Sequence, residues 1–377
     1  MQYHQGQTTL PRLTALLHSV GVSISKREIQ RLLTEQQDGF LAESRDVLRA
    51  GLETAPWVSV DDTGARHKAR NGFCTQIGND RFTWFGTLST KSRLNFLDLL
   101  RAGHSDYVLN APAFDYMRDR GLAAPSIARL FEADETRLVD QAAWQAHLRR
   151  LGIVSPTKTG LAVIQDPVQI ATEGAQWGSI HAHGFLYDAV VLSDDAGQFA
   201  VGQHALCWVH AERLVHRLDT FTDWQHAAQQ FLRALIWWYY ADLKAYRREP
   251  DRRRRSALRA RFDRIFRRRT GFATLDRLLQ RLHANKAELL LVLERPEVPL
   301  HSNSSERDLR PQVIRRKISG GTRSDNGRDC RDAFLGLLLT CAKLGVSFWD
   351  YLGARLAVPE TKAPYLPDLV RLRSAQA

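Results

Sequence analysis

Residues 1–50 carry a helical rhythm of apolar positions. Leu13, Leu16 and Leu17 precede Gly21-Val-Ser-Ile-Ser25, and Ile29, Leu32 and Leu33 follow it. Three- and four-residue spacing puts such leucines on one helix face. A helix, a glycine-containing turn and a second helix starting near Lys26 is the outline of a helix-turn-helix. Any two helices joined by a glycine share that outline, so the pattern alone does not assign DNA reading.

The rhythm then shortens to that of strands. Trp57-Val-Ser-Val-Asp61 predicts a short apolar strand that runs into acids. Gly72 to Ile77 and Phe82 to Leu88 predict a hairpin across Gly78-Asn79-Asp80, a strong turn signal. Thr90 to Arg101 reads as an amphipathic helix with Leu94, Leu97 and Leu100 on one face. Residues 104–180 read as an inserted segment, with a helix from Asp134 to Leu151 capped by Asp134. Ala189-Val-Val-Leu-Ser193 predicts a buried strand that again ends in acids, Asp194 and Asp195. After Cys207 the pattern is helical to Leu293, and a last helical region spans Ser304 to Leu352, broken at Pro311 and around Gly320-Gly321. The run Trp237-Trp-Tyr-Tyr240 lacks interleaved cations and reads as core rather than as a stacking platform for bases.

Composition bounds the class. The chain has 377 residues, 44% of them hydrophobic, which supports a sizeable core and excludes a disordered polycation. No apolar run approaches the roughly 20 residues of a membrane span, and the first residues lack a signal-peptide layout. Cys74, Cys207, Cys330 and Cys341 lie far apart with no disulfide framework. Together these features predict a soluble, cytosolic protein without a membrane partner. The net charge of +12 is concentrated: from Arg247 to Arg269 there are 12 arginines and three acids, which leaves +9 in that segment. Leu258, Phe262, Ile265 and Phe266 recur there at helical spacing, so one face can dock while the other is nearly all guanidinium. Guanidinium forks match phosphate oxygens and follow a nucleic-acid backbone without reading bases.

Two apolar strands that both end in acidic pairs, Asp61-Asp62 and Asp194-Asp195, suggest a shared site. Neighbouring strands would bring those carboxylates to one sheet edge, where like charges need a cation between them. Hard oxygen donors favour Mg²⁺ or Mn²⁺. Two such ions about 4 Å apart serve phosphodiester transfer. Glu306, early in a short helix ending at Pro311, is the third carboxylate; Arg307, Arg310, Arg315, Arg316 and Lys317 around it suit arriving phosphates. Cys207 and His210, with His204 and His216 nearby, offer one thiol and no paired spacing, so a helix supporting the site is preferred over structural zinc.

Four blocks in order resemble the DDE transposases of the insertion sequence 66 family, over most of residues 10–355. They are Val60-Asp61-Asp62-Thr63-Gly64; Leu192-Ser-Asp194 with Phe199 beyond; Cys207-Trp208-Val-His210-Ala-Glu-Arg213; and Asn303-Ser-Ser-Glu306-Arg307-Asp-Leu-Arg310-Pro311 with Arg316-Lys317 and Gly327 after it. The resemblance implies an α/β, ribonuclease-H-like (retroviral-integrase-type) catalytic core with helical insertions and a helical N-terminal segment. Asp61, Asp194 and Glu306 would be the catalytic metal ligands, holding a pair of Mg²⁺ or Mn²⁺ ions. His210, Arg213 and Asn303 would support them. Arg252, Arg253, Arg254, Arg255, Arg259, Arg307, Arg310, Arg316 and Lys317 would hold the DNA of element ends and target. Departures are Asp62 where the family commonly has Glu, Ser302-Asn303 for an Asn-Asn pair, Ile318 for Asn, and a start close to the first helices where relatives carry a longer DNA-binding region. Asp134-Glu135-Thr136 spells the family's first motif more literally, but it follows no strand.

The domain expectation is a helical segment at 1–50, the core at 51–353 with insertions near 104–180 and 225–295, and a tail at 354–377. The expected function is metal-dependent strand cleavage and strand transfer by a homo-oligomer. The alternatives are an inactive DNA-binding relic and a ribonuclease-H-like nuclease without strand transfer.

Overall fold

The computed structural model describes residues 1–156 and 166–376, so the part of the inserted segment at 157–165 lies outside the described residues. Helices α1 (Leu10–Ser19), α2 (Lys26–Thr34) and α3 (Asp38–Thr54) lead into strands β1 (Trp57–His67), β2 (Arg70–Gly78) and β3 (Thr83–Leu88). Then come α4 (Arg93–Leu100), β4 (Tyr107–Val108), α5 (Ala111–Asp119), α6 (Ala124–Phe131), β5 (Arg137–Leu138), α7 (Gln141–Arg150) and α8 (Pro167–Ala182). Strands β6 (Val190–Ser193) and β7 (Gln203–Leu206) precede α9 (Trp208–His216), α10 (Asp223–Arg248), α11 (Arg252–Phe266), α12 (Ala273–Ala284) and α13 (Lys286–Leu289). The chain closes with α14 (Asn303–Ser319), α15 (Asp325–Leu344), α16 (Phe348–Arg355) and α17 (Leu366–Ala375), the last lying in the expected tail.

The main sheet is mixed and five-stranded, in the order β3-β2-β1-β6-β7. The β1–β2 connection is the two-residue pair Lys68-Ala69, both at positive φ. So short a link joins antiparallel neighbours, and two successive positive φ values match the twist of a hairpin. β2 and β3 pair antiparallel, whereas β6 pairs parallel with both β1 and β7.

The chain forms two compact units: Met1–Ala55 with Asp62–Tyr187 and Asp308–Ala377, and Pro56–Asp61 with Asp188–Arg307. In the first unit, Tyr107, Met117, Trp144 and Ile170 centre a core of their own. Helix α8 runs close over β4, because a Cβ on Gly178 would stand 2.1 Å from the Val108 carbonyl oxygen. Gly178→Ala is therefore expected to lower stability by about 1–3 kcal/mol, read as a fall in thermal unfolding midpoint. A second group, Ala65, Cys74, Phe85, Leu309 and Leu335, packs the hairpin against α14 and α15. Glu43, buried on α3, accepts bonds from Arg355 (2.7 Å) and Tyr351 (3.1 Å), which ties α16 down.

In the second unit, Trp208, Tyr239, Phe262, Phe266 and Leu282 centre a helical core, while Val190, Leu192, Ala205 and Val298 pack on the strands. Leu258, Phe262, Ile265 and Phe266 are the buried face of α11, as their spacing predicts.

Several expectations are corrected. β1 does not stop at its acids but continues to His67, where the hairpin with β2 supplies new ladder partners. Asp134 caps nothing: residues 137–138 form a strand, and the Asp140 carboxylate receives the Ala143 N–H at 2.8 Å at the start of α7. Pro311 does not end its helix, which continues to Ser319. A proline inside a helix costs about 3 kcal/mol, and contacts made beside it offset that cost: Leu309 packs with Ala65, Cys74 and Phe85, and Asp308 is held by Lys343 and Thr83. The aromatic run splits. Tyr239 is 0% exposed, but Trp237 and Trp238 are 39% and 61% exposed. At 100° per residue four consecutive side chains cannot all face one core.

Candidate active site

Asp61 and Asp194 follow two paired strands at the same end. Ser59 pairs with Leu192 in the parallel β1–β6 ladder, and each aspartate comes two residues after its member of that pair. Both sit on the C-terminal side of that ladder, where the β1–β6 pairing ends. In open α/β sheets this edge is where ligands bind. The backbone past β6 turns sharply because the Asp194 carboxylate accepts the Ala196 N–H at 3.1 Å.

Glu306 reaches the same edge from α14. The neighbouring Ser305 hydroxyl is hydrogen-bonded at 2.5 Å to the hydroxyl of Ser59, two residues before Asp61. Both serines are fully buried. That bond seats the first turn of α14, with the adjacent Glu306, on β1.

Helix α9 supplies the groups that hold Glu306. His210 and Arg213, one turn apart, both meet its Oε1: Arg213 Nη1 at 3.1 Å and His210 Nε2 at 3.2 Å. The Cys207 thiol lies beside His210. Its hydrogen bond to the imidazole raises the His210 pKa above the ordinary histidine value, against burial, which lowers it. Burial pushes the Cys207 thiol up, but the His210 partnership and the Ser302 N–H, 3.4 Å from the sulfur, bring it below the usual thiol value. His204 is engaged elsewhere, with Glu288 at 2.9 Å and Ser193 at 2.8 Å.

Asp195, beside Asp194, is paired with Arg281 and accepts from Asn285 at 3.3 Å. Asp62, beside Asp61, forms an ion pair with Lys91. Successive residues of a strand point to opposite faces, which separates Asp62 from Asp61.

The cationic residues fall into distinct settings. Arg252, Arg253 and Arg254 are exposed on the first turn of α11. Arg255 and Arg259 both reach Glu294, the former at 2.7 Å, so the guanidinium face is partly neutralised by an acid from outside the helix. Arg307, Arg310 and Lys317 are exposed on α14, as is Asn303 at its start. Arg316 turns instead to the Gly64 carbonyl and the Thr63 hydroxyl, the latter at 3.4 Å. Arg315 stacks over Tyr3 at 4.4 Å.

Sequence reasoning missed three features. The Ser59–Ser305 bond links residues 246 positions apart and has no local signal. The sharing of Glu306 by His210 and Arg213 was within reach, since their three-residue spacing places both on one helix face. The third is a cluster in the first unit, where ligand atoms of His104, Asp106 and His183 lie within 4.8 Å of one another. Asp106 there already carries the Arg137 guanidinium at 2.7 Å and the Ser179 hydroxyl at 2.8 Å, so its charge is answered within the protein.

Residues 110–329 match the model of the transposase IS66 family. The chain is 49% identical over 328 residues to the "Uncharacterized protein y4jO" of Sinorhizobium fredii, an alignment that covers 87% of this chain and 100% of that protein. No solved structure matches it.

Proposed function

Since the chain belongs to the IS66 family of transposases, we propose that it catalyses metal-dependent DNA strand cleavage and strand transfer through Asp61, Asp194 and Glu306. DNA is the partner that membership of such a family implies. What supports the reading is that Asp61 and Asp194 follow the paired ends of β1 and β6, and that the Ser59–Ser305 bond seats the start of α14, which carries Glu306, on β1. The strand order supports a ribonuclease-H-like core: an antiparallel meander β1-β2-β3, then β6 and β7 added parallel on the other side of β1.

Three carboxylates are the hard oxygen donors that suit a pair of Mg²⁺ ions, which would share Glu306 with Arg213 and His210. When bound, the ions supply activation of a water or 3′-hydroxyl and stabilisation of the leaving oxygen. Arg213 orients the Glu306 carboxylate, and His210 holds a proton near it, supported by Cys207. Exposed Arg252, Arg253, Arg254, Arg307, Arg310 and Lys317 bind backbone phosphates, and Arg316 braces β1 at Gly64. Helices α1 and α2 contact DNA at the element end. The active assembly is a homo-oligomer in the cytoplasm, on the nucleoid.

Incubating the purified protein with labelled element ends and Mg²⁺ tests this reading. Joined products support it, hydrolysis alone marks a nuclease, and binding without nicking marks a relic. Replacing Arg252, Arg253 and Arg254 by alanine is expected to weaken binding uniformly across sequences. For every phosphate that is no longer neutralised, the slope of log affinity against log salt should become shallower by about 0.9. A salt titration by fluorescence anisotropy checks it.

A further inference from the structure

The second unit contains a cavity of about 280 Å³ directly beside Asp194. Its walls are apolar, formed by Leu206, Leu214, Leu282 and Leu289, and its polar lining includes Arg217, Arg281 and Asn285. Asp195 holds both Arg281 and Asn285 by side-chain bonds, so their positions are set without a ligand. The size is at the lower end for small-molecule sites, suited to one flat group. The lining carries both signs, Asp194 and Asp195 against Arg213, Arg217 and Arg281, and it is the leucine walls, which give a phosphate nothing in exchange for its water, that argue against a free anion. An uncharged ring fits better: leucine surfaces take its faces, while the amide of Asn285 and the fork of Arg281 meet polar atoms on its edge. Arg217, exposed on the turn after α9, is suited to the phosphate attached to that ring.

We propose that this cavity receives one nucleobase, turned out of the duplex at the nucleotide next to the cleaved phosphate. The inference rests on the reading of Asp61, Asp194 and Glu306 as the cleavage centre, since it is Asp194 that places the cavity beside the scissile bond. Unstacking a base costs a few kcal/mol, and enzymes recover this in a fitted pocket. Opening the helix end in this way would also free the backbone to approach the carboxylates.

The test uses the full-length protein, Ca²⁺ in place of Mg²⁺ to prevent cutting, and duplexes ending in the terminal repeats that flank the gene. 2-Aminopurine is placed in turn at each nucleotide near the cleavage position, and anisotropy reports binding separately. Fluorescence is expected to rise several-fold at one position only. A mismatch opposite that position should tighten binding roughly threefold to tenfold, because less pairing is lost. Leu214→Trp, which fills the cavity, should abolish the rise while the complex still forms. Ala196→Trp, on the loop lining the same cavity, serves if Leu214→Trp does not fold. Saturated complexes in which no position brightens would overturn the proposal, as would cavity-filled variants as bright as the parent. Cleavage by Asp61→Asn in Mg²⁺ is read in parallel. If that variant still cuts, the cleavage-centre reading fails; if it is inactive and no position brightens, only the pocket inference fails.

Discussion

Asp61→Asn is expected to reduce Mg²⁺-dependent strand cleavage by on the order of 10³-fold or more, with DNA affinity changed less than about threefold. Asparagine keeps the size and one carbonyl oxygen but loses the negative charge that offsets the ions. Metal assistance contributes several kcal/mol to such a transition state, and each 1.36 kcal/mol is about tenfold in rate. Position 61 lies at the edge of the β1–β6 pairing rather than in the core, so folding is expected to be unchanged. Asp194→Asn and Glu306→Gln should behave alike, and the double variants should be no slower than the singles, since the three act as one unit. Single-turnover cleavage of a labelled element end measures this. A variant retaining more than a tenth of the parent rate would remove Asp61 from the site.

Lys343→Met is expected to have the largest effect on stability, about 3–5 kcal/mol. The Lys343 ammonium on α15 meets the buried Asp308 carboxylate of α14 at 2.6 Å. It also donates to the carbonyl of Asn79 at 2.7 Å and of Phe82 at 3.2 Å, so one cation closes the β2–β3 turn and joins it to two helices. The Thr83 hydroxyl adds a bond to Asp308 at 2.6 Å. Methionine preserves the packing of the aliphatic stem but leaves a carboxylate buried without its counter-charge. Changing both members, Lys343→Met with Asp308→Leu, should recover more than half of the loss, because a buried ion pair is often replaceable by apolar residues. Chemical denaturation of the four proteins forms the double-mutant cycle. Independence of the two substitutions would show that Lys343 acts through the turn carbonyls rather than through Asp308.

Most of the elements were legible in the chain, and all three candidate carboxylates were named from it. The hairpin across Gly78-Asn79-Asp80, the strand before Asp194 and the buried face of α11 follow from local rhythm, which the backbone imposes within a few residues. The helix at Asp134 failed because an Asp that can cap occurs at both 134 and 140, and only the β4–β5 pairing decides between them. Pro311 failed because its penalty is local and the compensation is not.

By itself the sequence determined where acids, cations and apolar faces lie along the chain, and through its four blocks, which family it belongs to. These depend on residue identity and short spacing. Tertiary structure alone decided which acids meet. The register of strands more than a hundred residues apart puts Asp61 and Asp194 after the same end of one ladder, and a serine pair seats the start of α14, which carries Glu306, on β1. It also decided which cations of α11 meet an acid, since Arg255 and Arg259 pair with Glu294 from beyond that helix. Such pairings depend on distance in space, and the entropy of closing long loops rises only slowly with their length, so separation along the chain says little about which groups will touch.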